Sequence, residues 1–114
     1  MSLKSALQAV LNPLVSGGAW DKVAIQGTVP PYIVWQLIAS TTNVALGGAS
    51  NLQNTRVQID AYATTGAQTE ILSASIAAAM AAAGFTNVPI SSQDLFEPDV
   101  KLHRVSLDYS VWSA

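Results

Sequence analysis

The chain has 114 residues, half of them hydrophobic and only 11% charged, with a formal net charge of −2. That length suits one domain spanning residues 1–114 around one core. The acidic balance and the scattered cations Lys4, Lys22, Arg56, Lys101 and Arg104 exclude the gathered basic face of a nucleic-acid binder, so no sequence-specific nucleic acid is expected as a partner.

With no cysteine, disulfides, a thiolate nucleophile and thiol-bound zinc are all excluded, which fits a protein made in a reducing cytoplasm. A chain this poor in charge suits one that hides surface in an oligomer. Residues 1–5 carry one lysine and no apolar block with a cleavage site behind it, so no signal peptide is expected. The most apolar stretch, Ile71 to Phe85, is too short to span a bilayer and is interrupted by Ser73 and Ser75, so no membrane partner is expected either.

Leu3, Leu7, Val10, Leu11 and Leu14 fall within one helical stripe about 100° wide and predict an amphipathic helix from Leu3 to Val15. Ser2 caps it, Pro13 loosens its last turn and Gly17 with Gly18 ends it. From Ser16 to Pro31, glycines and prolines predict an ordered loop with at most a short extended piece. Trp20 and Val23 to Ile25 are its apolar anchors, and its tip is a candidate contact surface.

Tyr32 to Ile38 is dense in β-branched and aromatic residues and starts after two prolines, the mark of a first strand. Thr41 to Asn54 is polar and glycine-containing, a long loop of the kind that carries function. Next comes a clean alternation, with Val57, Ile59 and Ala61 against Arg56, Gln58, Asp60 and Tyr62, which predicts a half-buried strand.

Thr65 with Gln68 makes a capping box, and Glu70 suits the positive end of the helix that follows. Leu72, Ile76, Ala79, Met80 and Ala83 form its apolar stripe. Gly84 is expected to end it, with Phe85 folding back in a Schellman motif. Thr86 to Asp99 reads as a second polar connection holding the acids Asp94, Glu97 and Asp99. The final strand has Val105, Leu107, Tyr109 and Val111 on one face and Arg104, Ser106, Asp108, Ser110 and Trp112 on the other. This order predicts an α+β fold, a small antiparallel or mixed sheet of three to four strands with two helices packed on one face.

Chemistry is sparse. His103 is the single histidine, and a catalytic group would need Asp60 or Asp108 beside it. Alternation instead places both acids away from the core, where Arg56 and Arg104 suit cross-strand ion pairs. The acids at 94, 97 and 99 lack the spacing of a calcium loop, and the glycine pairs lack the context of a phosphate cradle. No catalytic residue, cofactor or metal is therefore expected. Trp35 is expected inside. Trp112, on the face opposite the strand's core residues, fits either an interface or a cover for its own sheet.

Three ordered blocks carry a resemblance. They are Pro31-Tyr-Ile-Val-Trp-Gln-Leu-Ile38, then Arg56-Val-Gln-Ile-Asp-Ala-Tyr62, and finally Asp94-Leu-Phe-Glu-Pro98 leading to His103-Arg-Val-Ser-Leu-Asp-Tyr-Ser-Val-Trp112. Together they resemble the tail completion proteins of long-tailed bacteriophages and are similar to tail-to-head joining and tail terminator proteins. The alanine-rich second helix and residues 99–102, where relatives tend to have a glycine-containing turn, depart from that pattern.

The resemblance implies a non-enzymatic virion protein, made in the host bacterial cytoplasm and placed at the head–tail interface. There it would form a homo-oligomeric ring, usually of six copies, that caps the tail tube and meets the head connector. Its partners would be itself, the tail tube protein and the connector proteins. The two polar loops and the C-terminal tryptophan make Asn43, Leu46, Gly47, Gly48, Asn51, Asp94, Phe96, Glu97 and Trp112 the candidate contact residues. A tail tube or capsid-decoration subunit is the alternative, and a small ligand-binding module around Asp60, His103 and Asp108 is a third reading.

Overall fold

A computed structural model describes residues 2–42 and 53–113. The chain begins with helix α1 (Leu3–Leu11), where the Ser2 hydroxyl accepts a hydrogen bond from the Ser5 amide at 3.2 Å. Pro13 cannot donate to a helical carbonyl, and the helix tightens into a 3₁₀ turn over Asn12–Leu14. Leu7 and Leu11 are fully buried.

Gly17 then turns the chain into strand β1 (Ala19–Asp21). The Gly17 amide donates to Pro31 O at 2.8 Å, and a Cβ there would lie 2.3 Å from Val29 O, so only glycine fits. Strand β2 (Tyr32–Thr42) follows a cis Pro30–Pro31 bond, and strand β3 (Gln53–Ala63) returns antiparallel to it. Helix α2 (Gly66–Ala81) is capped by Thr65, whose hydroxyl accepts from the Gln68 amide at 3.2 Å. The Gln68 side chain does not close the box, because its Oε1 accepts from Thr64 Oγ1.

The chain ends in the antiparallel pair β4 (Thr86–Glu97) and β5 (Leu102–Ser113). The sheet order is β1-β2-β3-β5-β4, with β1 parallel to β2 and every other pair antiparallel. Odd-numbered residues of β3 and β5 face the helices. Val57, Ile59, Ala61, Leu107 and Val111 pack there with Leu7, Leu11, Ile76 and Met80 in one core.

Two helices on one face of a mixed sheet agree with the expected α+β class, but among the described residues the sheet has five strands where three to four were predicted. β1 lay hidden in the predicted loop of residues 16–31, because three residues are too few to show alternation. The larger correction is β4: residues 86–97 form a strand, not a polar connection. An edge strand with little to bury can be polar on both faces, so alternation disappears.

The end of α2 is also different. Gly84 does not take a positive φ, so there is no Schellman turn. Instead the Asn87 side-chain amide donates to Met80 O at 2.8 Å and Phe85 O at 3.1 Å, tying the helix end to β4.

Candidate assembly surface

Among the described residues no helix lies over the second face of the sheet, and a ladder of polar side chains covers it. Arg104 is its centre: Nη2 is 3.1 Å from Glu97 Oε1, Nη1 is 3.8 Å from Asp60 Oδ2, and the guanidinium sits 5.9 Å from the Tyr62 ring centroid. Burial pulls the Arg104 pKa down, but the Tyr62 hydrogen bond and the Asp60 and Glu97 charges outweigh it and hold the pKa above its usual value. Tyr62 stacks on Tyr32, centroids 4.8 Å apart. Burial, with the neighbouring Tyr62, pushes the Tyr32 phenol up.

Along the same face Arg56 Nη2 donates to Asp108 Oδ2 at 3.0 Å, and Ser91 Oγ donates to the same oxygen at 3.4 Å. Gln58 Nε2 reaches both oxygens of Asp60, which is 7% exposed. Asp60 and Asp108 thus form the expected cross-strand ion pairs. Each arginine pairs diagonally with the acid of the opposite strand. Their charge is satisfied within the chain, leaving no unpaired carboxylate here to act on a ligand.

His103 stands on the other face. It lies opposite Ala63 and Phe96 in the ladders, its ring 5.0 Å from the Phe96 ring and close enough to Gly66 that a Cβ there would be 3.6 Å from Nδ1. The sheet therefore separates His103 from Asp60 and Asp108, and the grouping that motivated a ligand-binding module is overturned. Among the described residues no cluster of three His, Asp or Glu stands ready to hold a metal ion, and no helix is long and apolar enough to cross a membrane.

Asp94, Phe96 and Glu97, expected on a loop, lie on the edge strand β4. Asp94 and Phe96 are exposed beside the helices, Phe96 at 52%, while Glu97 is bound to Arg104 on the opposite face. Trp112 is half-buried opposite Thr86, nine residue steps along β5 from the His103–Phe96 pair, about 30 Å away. The structure thus gathers three of the candidate residues and leaves Trp112 at the other end. Asn43, Leu46, Gly47, Gly48 and Asn51 lie outside the described residues.

Of the apolar anchors expected in residues 16–31, Trp20 is half-buried and its indole donates to Gly17 O at 3.0 Å, whereas Val23 and Ile25 turn outward, as does the neighbouring Val29. Ile25 lines a cleft with Tyr32, Leu102 and the exposed Val100 of the β4–β5 turn. Lone aliphatics flanked by glycine and proline were the available signal, since such a segment has no face on which to bury them. These apolar exposures and the open edge strand equip the domain for contact with other proteins.

No curated protein matches the chain. The family model described as tail completion protein gp17 matches residues 3–114, from the first residue of α1 past the end of β5. With that match covering both helices and all five strands, the chain belongs to the tail completion protein gp17 family and is a structural protein of a bacteriophage tail.

Proposed function

We propose that this protein closes the finished tail: copies assemble into a ring, about six by the resemblance noted above, which caps the tail tube and presents a surface to the head connector. The observation that carries the reading is the family match over essentially the whole chain. Low charge and exposed aliphatics on a one-core domain support it, because both suit surfaces that become covered in an assembly. A ring needs a heterologous contact, one patch against a different patch on the next copy.

The test is a phage carrying a stop codon in this reading frame, grown in a host that does not suppress it. Unjoined heads beside tails of abnormal length are expected in electron micrographs, with joining restored by the protein supplied in trans. Finished particles at normal yield without the protein would overturn the reading. Filaments formed by the purified chain alone, seen in the same microscope, would instead favour the tail tube alternative.

A further inference from the structure

The sheet ends in two open edges. β1 pairs only with Ile33, Val34 and Trp35, so β2 from residue 36 to 42 has no neighbour on that side among the described residues. At the other end β4 pairs with β5 alone among the described residues. A groove runs along β4 on the helix side. Ser73 and Ala77 of α2 form one wall, Ser92 and Asp94 the other, and Leu107 with Tyr109 the floor. Its two stretches have volumes of about 420 and 320 Å³, room for a run of side chains and not for a single one. Neither open edge carries a lysine or arginine, the residues that commonly guard an edge against pairing.

We infer that a second copy of this chain lays residues 36–42 of its β2 against residues 92–97 of β4, so that the sheet continues antiparallel from one copy to the next. The inference rests on the ring reading above and names the contact that would build the ring. Strand direction is right for it: β2, β3, β5 and β4 alternate, so a neighbour's β2 placed outside β4 in the same sheet runs opposite to it.

The faces also agree. Leu37 shares the helix face with Val57, and Phe96 shares it with His103; Ala39 lies with Arg56 on the polar face, and Leu95 with Arg104. Setting Ala39 opposite Leu95 then places Leu37 opposite Phe96, because the irregularity at Ile38 absorbs one residue. The exposed Phe96 gains an aliphatic partner, and the uncharged β2 segment brings no like charge to Asp94 or Glu97.

The two segments lie at different heights, which gives a geometric check. Gln36 is level with Ser91 through Gln58 and Asp108, whereas its new neighbour Glu97 is six residues further along β4. Pairing them shifts each copy along the strands by about 20 Å, across the four strand spacings from one copy's β2 to the next, about 19 Å. That slope corresponds to a tilt of roughly 45°, at the upper end of the range at which sheets close on themselves. Two different edges meeting with such a stagger form a heterologous contact that repeats from copy to copy, the kind a ring requires.

The chain has no cysteine, so introduced pairs report without background. Phage carrying Ala39→Cys with Leu95→Cys are grown, purified and mildly oxidised, and their proteins separated without reductant. A ladder of cross-linked multiples of this chain is expected, absent from either single variant.

Particles of normal yield that contain the chain but give no ladder would overturn this contact while leaving the capping reading standing. Leu95→Cys alone linking as a dimer would overturn it too, in favour of a two-fold β4–β4 contact. Joined tails that lack the chain at their ends would overturn the capping reading and this inference together. If the cysteines themselves block growth, Phe96→Lys decides: the purified chain is expected to keep its fold while particle yield falls at least tenfold, and unchanged yield overturns the contact.

Discussion

The Trp35 indole nitrogen donates to Gln8 Oε1 at 2.9 Å, and the same glutamine donates through Nε2 to Ala19 O at 2.8 Å. One side chain on α1 therefore holds both strands at that edge of the sheet, and Trp35 is 2% exposed. Removing the glutamine leaves the indole N–H with no acceptor in a dry place. Gln8→Ala is expected to lower stability by about 1–3 kcal/mol, read as a lower urea midpoint with an unchanged slope. Gln8→Glu, which keeps an acceptor for Trp35 but no donor for Ala19 O, should fall between. An unaltered midpoint for Gln8→Ala would show that the bond contributes nothing net.

The elements with a face to bury were legible in the sequence. β3 and β5 alternate because one face meets the helices and the other meets solvent, and α1 shows its stripe because Leu7 and Leu11 are core residues. β4 was not legible for the converse reason. It is an edge strand with exposure along nearly its whole length, so nothing in its sequence has period two. The missing strand also misplaced the candidate site, since Asp94, Phe96 and Glu97 were read as loop residues when they are an edge with two distinct faces. His103 failed for a simpler reason: it is five residues from Asp108 on β5, and an odd spacing along a strand puts two side chains on opposite faces.

Gly17 and Gly84 look alike in the sequence, each near the end of a helix, but their surroundings predict opposite outcomes. A Cβ at Gly17 would stand 2.3 Å from Val29 O and 2.7 Å from Pro31 O, both backbone atoms that cannot move without unseating β2. At Gly84 a Cβ meets nothing within 4 Å, and φ is not positive. Gly17→Ala is therefore expected to cost about 3 kcal/mol or more. Gly84→Ala should be neutral or stabilising by up to about 1 kcal/mol, through the unfolded chain. Thermal melts of the two variants check this, and similar shifts in both would refute the contrast.

Two arginines on the polar face make comparable ion pairs in different surroundings. Arg56 is half exposed, so its bond to Asp108 is screened by solvent, and Arg56→Ala should cost no more than about 1 kcal/mol. Arg104 is more enclosed and serves Asp60, Glu97 and Tyr62 together. Its loss strips the buried Asp60 of its cation, leaving only the Gln58 amide. Arg104→Ala is expected to cost about 2 kcal/mol, below the figure for a fully buried pair because a quarter of the side chain is in contact with solvent. Equal losses for the two arginines in urea titrations would show that burial does not separate them.

Alkaline pH should weaken the fold through its tyrosines. Burial raises the Tyr109 phenol above its ordinary value near 10, and burial with the neighbouring Tyr62 raises that of Tyr32. The folded chain then holds these protons more tightly than the unfolded one. Their contribution is therefore complete below about pH 10 and is lost as pH rises through the higher folded values. Tyr109→Phe removes one of the two groups and should flatten the decline, whatever it does to stability at neutral pH. Urea midpoints measured at pH 8, 10 and 11 on both proteins give the comparison. A decline equally steep in Tyr109→Phe would mean that the alkaline sensitivity arises elsewhere in the chain.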